Sequence, residues 1–371
     1  MISCKRLFFL CILLLSSSFA WAVDNRELNE DHVQEKIIEN LISGENLILS
    51  REYRAALKLF KQLQAQHPNS PAGYFGEMAV YEAQMLERED FSLETKFLDA
   101  AKRGNKAVSY VLQRYQPNKW ELMFVGSLKG LEGFIKARKR QWLRAYFLGA
   151  ESRQTFNRIR QMDSKFTDAD FGLGMYLYWR SVFAKKLNWL PFISDKRSEG
   201  IALIEKVAKH GRVAQRVATV NLAIIYLEEG RHQDAKKVAT ALVKEFPNNI
   251  FLRMILGRVY LVSKQYDRSL QQFHKVLEIY PKIYKAHYFI AVNLILQNNQ
   301  ALLGEANKEL DLFLQANSNE TWRSYALYWK GRIAEAKGKK KRAKSFYSAA
   351  IKLNSDLKGA KFRLRALGSG L

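Results

Sequence analysis

The chain has 371 residues, 26% of them charged, with 60 Lys+Arg against 36 Asp+Glu, a net charge of +24. A charge that far from zero keeps a protein soluble and attracts polyanions, but says nothing about its fold. Both cysteines, Cys4 and Cys11, lie at the very N-terminus, so the rest of the chain excludes disulfides, thiolate metal sites and a cysteine nucleophile.

In chain order, the first element is a targeting segment. Lys5 and Arg6 form a positive start, Leu7 to Leu15 an apolar stretch, and Ala20-Trp21-Ala22 a small-residue site after Ser16, Ser17 and Ser18. This is the pattern of a cleaved secretory signal peptide, which predicts a signal over 1–22 and a processed chain from Val23. Loss of Lys5 and Arg6 takes the net charge from +24 to +22. Phe9-Leu10 ahead of Cys11 is not a lipoprotein box, so no lipid anchor is expected. The apolar stretch is shorter than the roughly 20 residues of a membrane span, and no later segment offers one. The expectation is export from a bacterium to the periplasm or medium, with no transmembrane span in the processed chain.

Beyond the signal, apolar residues recur at helical spacing and no alternating strand pattern or hairpin turn interrupts them. Ile37 to Ser70 carries Gly44, Ala56, Phe60 and Pro68. Pro71 to Tyr81 starts a helix whose partner runs over Ser92 to Tyr115. A long pair follows from Asn118 to Asp163, with Trp120, Trp142 and Phe156. Asp168 to Gly174 opens a helix carrying Tyr178; its partner, Arg197 to His210, is delayed by an insertion over Lys185 to Lys196.

The next blocks are the most regular. Arg216 to Asn249 has Leu222-Ala223, Tyr226, Ala235, Ala239, Val243 and Pro247. Ile250 to Ile283 has Leu256-Gly257, Tyr260, Ser269, Phe273, Leu277 and Pro281 in the same register, one full block later. A further pair covers Tyr284 to Asn317. Ser324 to Leu357 brings Gly331, Ala343, Tyr347 and Ile351, with Ser355 in place of the proline, and Lys358 to Leu367 forms a capping helix. The small residues let two helices approach closely, the ring one turn later fills the gap between pairs, and proline ends the second helix.

These residues resemble the tetratricopeptide repeat, W-x2-L-G-x2-Y…A-x3-F…P with a period of about 34 residues. The match is best over Arg216 to Ile283, though the tryptophan is missing from most units. The resemblance implies an all-α, right-handed superhelical solenoid of antiparallel helix pairs, about eight of them. It divides into irregular pairs over 23–165 and a continuous second part over 166–371. It also implies a concave surface lined by the first helices. Carried over helix by helix, that surface takes Val220, Ile224 and Leu227, then Met254, Arg258 and Leu261, then Tyr288, Val292 and Ile295. Phe251 to Val262 and His287 to Leu296 are apolar on nearly every side, as buried helices are. Two readings stay open: the array buries this surface itself, or the surface accepts a hydrophobic segment of a protein or peptide partner.

Two other features could make contacts. Trp189, Leu190 and Phe192, beside two lysines in the insertion, either plug a gap between unequal helices or touch a membrane or partner. Lys136, Arg138, Lys139 and Arg140 form one basic cluster and Lys339, Lys340, Lys341 and Arg342 another, candidates for an anionic polymer or lipid. The export signal argues against nucleic acid. No metal-protease, nucleophile-elbow, phosphate-loop or calcium-loop motif occurs, and the six histidines stand singly. No catalytic residue, metal or cofactor is expected. The function expected is that of a non-catalytic, exported scaffold in bacterial cell-envelope assembly or maintenance, with a polyanion binder as the alternative and an enzyme without a recognisable motif as a third reading.

Overall fold

A computed structural model describes residues 32–114, 116–186, 194–316 and 319–368. The signal segment and the insertion residues Trp189, Leu190 and Phe192 lie outside them. Among the described residues there is no strand. The helices are α1 (32–49), α2 (Tyr53–Gln66), α3 (Ala72–Arg88), α4 (Glu94–Gln113), α5 (Lys119–Arg138), α6 (Trp142–Met162), α7 (Ala169–Lys186) and α8 (Arg197–His210). They continue with α9 (Gln215–Glu228), α10 (His232–Glu245), α11 (Ile250–Val262), α12 (Tyr266–Ile279), α13 (Tyr284–Leu296), α14 (Leu303–Ala316), α15 (Glu320–Ala336), α16 (Lys340–Leu353) and α17 (Lys358–Gly368). A short 3₁₀ turn, Gln300–Leu302, precedes α14.

Local chemistry sets the boundaries. Asn118 caps α5 by accepting from the Glu121 backbone N–H, while the Glu121 carboxylate accepts from the Asn118 N–H, both at 2.9 Å; this reciprocal pair satisfies two otherwise orphaned donors. Asn249 and Asn319 do the capping alone for α11 and α15. The turns inside pairs pass through one left-handed residue, with φ of 73° at Gly230, 57° at Lys264 and 54° at Asn298, the same position in three successive repeats. The chain reverses there: Arg231 N–H donates to the Tyr226 carbonyl at 2.8 Å, and Gln265 N–H to that of Tyr260 at 2.9 Å, the closing bond of a left-handed helix end.

The pairs are antiparallel and stack through aromatic rings. Phe60 of α2 lies so close to Gly44 of α1 and Gly76 of α3 that a Cβ built on either glycine would sit 2.1 or 2.2 Å from the ring. Phe156 of α6 is held the same way by Gly126 and Gly172. In α12, Phe273 has Gly257 as one neighbour, but its other is the Phe289 ring, stacked at 5.3 Å and 11°. Small residues four positions before these rings are also buried: Ala56, Ser152, Ser269 and, before Tyr347, Ala343. Ser152 and Ser269 use their hydroxyls, donating to the carbonyls of Gly126 at 2.8 Å and Gly257 at 2.9 Å.

The chain forms two compact units. Unit 1 comprises residues up to Ala83 together with Ser92–Arg216, and unit 2 comprises Gln84–Phe91 with Val217–Leu371. In unit 1, Asp168 is 4% exposed and accepts from the backbone N–H groups of Arg212 (3.0 Å), Val213 (2.7 Å) and Ala214 (2.7 Å), at the entrance to α9. In unit 2 the core runs through α11 to α15, centred on Phe273, Ile290, Leu310 and Phe313. A smaller core, built on Tyr347 with Ala343, Ala350 and Ala360, joins α15, α16 and α17.

Candidate functional site

The first helices of unit 2 present successive faces to one cavity of about 490 Å³. From α11 come Phe251, Met254, Ile255 and Arg258, at i, i+3, i+4 and i+7, one side of a helix. From α13 come Lys285, Tyr288 and Phe289, and from α15 Trp322 and Tyr325. Met254 and Tyr288 hold the same repeat position, three residues before Gly257 and Ala291, whereas Trp322 lies nine residues before Gly331, the equivalent residue of its unit, so the repeat generates two rungs of the lining and the longer α15 supplies the third. Glu228 at the end of α9, Ile283 and the Gln84–Phe91 segment of unit 2, through Leu86, Glu87 and Glu89, complete the wall.

The lining is aromatic with charged edges. Trp322 meets the Tyr288 ring edge-on at 5.2 Å and the Tyr325 ring at 5.8 Å. Trp329 donates its indole N–H to the Tyr288 hydroxyl at 3.1 Å. Burial pushes that hydroxyl up to about 12, with the Trp329 bond working in the opposite direction, so it stays a neutral donor at physiological pH. The Lys285 ammonium sits 3.8 Å from the centre of the Trp322 ring and pairs with Glu89. Arg258 donates to Glu228 at 2.9 Å with its guanidinium 5.9 Å from the Phe289 ring centre. Stacked rings and cation–π contacts hold these side chains in place.

The structure brings Met254, Arg258 and Tyr288 of the sequence-predicted set into this cavity. Leu227, Leu261, Val292 and Ile295 are buried, and Val220 and Ile224 are half-buried outside the lining. The lining occupies only the first turns of α13 and α15, so the later members of the predicted stripe fall outside this cavity. Phe251, Ile255, Lys285, Phe289, Trp322 and Tyr325 were missed. Phe251 and Lys285 share one repeat position and Ile255 and Phe289 another, flanking Met254 and Tyr288, and that register is the signal that could have found them; Trp322 and Tyr325 lie outside it.

The basic clusters divide. Lys136, expected on an exposed cluster, is instead buried, because it follows Val125 and Leu128 at helical spacing on the inward side of α5. Lys139 donates to both carboxylate oxygens of Glu94, at 2.7 and 2.8 Å. Arg138 lies near Glu82, whose carboxyl burial pushes up to about 7 while Arg138 works in the opposite direction. Arg140 is exposed, as are Lys339, Lys340, Lys341 and Arg342 at the turn into α16. Among the described residues no group of three or more His, Cys, Asp or Glu side chains could hold a metal ion.

Tetratricopeptide repeat families match residues 220–282 and 324–357. A human protein, protein O-mannosyl-transferase TMTC1, is 26% identical over 184 residues, 49% of this chain and 20% of that protein; the chain thus spans about a fifth of the curated relative it matches. Among solved structures, the APC/C hetero-tetramer Cut9-Hcn1 is similar with a TM-score of 0.51 at 12% identity, over 85% of this chain and 59% of that one. Pseudomonas aeruginosa pilF is similar with a TM-score of 0.47 at 13% identity, over 67% and 99%.

Proposed function

We propose, from the premise that this chain carries tetratricopeptide repeats, that it is a non-catalytic scaffold whose unit 2 cavity binds a hydrophobic segment of a protein partner. The observation that carries this reading is the largely aromatic wall that Phe251 and Met254 of α11, Tyr288 and Phe289 of α13, and Trp322 and Tyr325 of α15 form around one cavity. Such a wall recognises a helical or extended segment by its apolar side chains, while Lys285 and Arg258 at its edges orient polar groups. The transferase named for the human relative belongs to that protein, and the motif-free sequence supports no such step here.

The reading extends to location. Lys5, Arg6, the apolar stretch Leu7 to Leu15 and Ala20-Trp21-Ala22 support export, and with it a part in bacterial envelope assembly or maintenance. The exposed Lys339 to Arg342 turn supports a second reading, a contact with an anionic envelope polymer.

A photo-crosslinking residue placed at Met254 tests the first reading. It should capture a discrete segment of one protein at high salt, because an apolar contact is little screened. Trp322→Ala should abolish that crosslink. Capture that is unchanged by Trp322→Ala, or that vanishes with salt, would remove the cavity as the binding site.

A further inference from the structure

The start of α6 carries a feature that neither the repeat nor the cavity uses. Trp142, Leu143, Tyr146 and Phe147 are 47%, 71%, 57% and 57% exposed. At i, i+1, i+4 and i+5 they share one side of the helix, opposite the buried Ser152, Phe156 and Ile159 side. Trp142 is braced by the Phe183 ring at 5.2 Å, and the Tyr146 and Phe147 rings meet edge-on at 5.8 Å. Four large apolar side chains clustered on a surface mark an interaction site rather than the scattered exposure of ordinary proteins.

Charge selects the occupant. From 133 to 150 the sequence has Lys136, Arg138, Lys139, Arg140 and Arg144 and no Asp or Glu. Lys136 is buried, Arg138 is half-buried near the Glu82 carboxyl, and Lys139 pairs with Glu94. Arg140 and Arg144 are exposed, with no carboxylate partner among the described residues. The next acid along α6, Glu151, is held by Lys129 at 3.3 Å. A two-fold dimer through this face would press the arginines of one copy toward those of the other, with no acid to receive them. An anionic bilayer supplies both halves of the match: an acyl boundary for Trp, Leu, Tyr and Phe, and phosphates for two guanidinium groups. No described helix is long and apolar enough to cross a membrane, so the contact is lateral.

We propose that this face of α6 is a docking surface for an anionic lipid bilayer. The test is co-flotation of the full chain with vesicles of phosphatidylglycerol and phosphatidylcholine in equal parts, and with phosphatidylcholine alone. The chain should float with the anionic vesicles and less with the neutral ones. Leu143→Glu with Phe147→Glu, and separately Arg140→Glu with Arg144→Glu, should each cut the bound fraction at least tenfold in partition. All four positions are exposed, and unchanged circular dichroism melting verifies the fold. Three results would overturn the proposal: undiminished flotation of the Leu143/Phe147 variant, equal flotation with neutral vesicles, or a wild-type dimer that this variant turns into a monomer. The last would make the face an interface between copies.

Discussion

Ser269 donates its hydroxyl to the carbonyl oxygen of Gly257 at 2.9 Å, four residues before the Phe273 ring that packs against the same glycine. The equivalent positions in other pairs hold Ala56, Ala235 and Ala343, all buried, so alanine fits the space. Ser269→Ala should therefore cost only the net worth of one hydrogen bond, about 1 kcal/mol, measurable by urea denaturation.

Gly257→Ala should be worse. Its new Cβ would lie 2.6 Å from the Phe273 ring, and that ring is backed by the stacked Phe289 ring and has little room to move. Overpacking of this kind costs about 1–3 kcal/mol. Gly304→Ala, in α14, meets nothing within 4 Å and should stabilise by about 0.4–1 kcal/mol through reduced unfolded-state entropy. Thermal melts of the two variants should move in opposite directions.

Asp168 has three backbone N–H donors on its carboxylate. Asp168→Ala strands those donors in a buried place, and the expected loss is about 3 kcal/mol. Asp168→Asn keeps one acceptor oxygen and should lose about half as much. Equal denaturation midpoints for wild type and Asp168→Ala would contradict the assigned role.

Glu82 sets a pH dependence. Its carboxyl is raised to about 7 from an ordinary 4.5, by burial against the opposing influence of Arg138. The folded state therefore holds its proton more tightly than the unfolded state does. Stability falls as pH rises through the window from 4.5 to about 7, and the loss is complete above it. Glu82→Gln should gain on the wild type as pH moves from 4.5 to 8 in parallel urea titrations. A constant difference between the two across that range would show that Glu82 is not perturbed.

The architecture was largely legible because the steric rule is local. Gly257, Ser269, Phe273 and Pro281 sit at fixed offsets, and their counterparts one repeat earlier keep the same offsets. Irregular pairs could still be followed by their rings, as with Phe156, although α5 and α6 are 20 and 21 residues long. The cavity was less legible because α11 and α13 are apolar all round. Periodicity cannot choose a face on such a helix, so buried Leu261, Val292 and Ile295 looked the same as Met254 and Tyr288. Lys285 was hidden for a related reason: a lysine in a first turn looks solvated until the Trp322 ring is seen beneath it. Lys136 failed in the other direction, since a cluster counted along the sequence ignores which side of the helix each residue faces.

The Phe60 ring between Gly44 and Gly76 is the common property of two neighbouring helix pairs. Neither pair can be excised cleanly. A chain cut between α2 and α3 would keep Gly76 but lose the ring that fills the space beside it, opening a hole where a benzene-sized group had been. Gain or loss of units is therefore constrained to junctions where the ring and both of its glycines travel together. A boundary on either side of α2 parts the ring from one of these glycines, so α1, α2 and α3 form the smallest piece that keeps this contact whole.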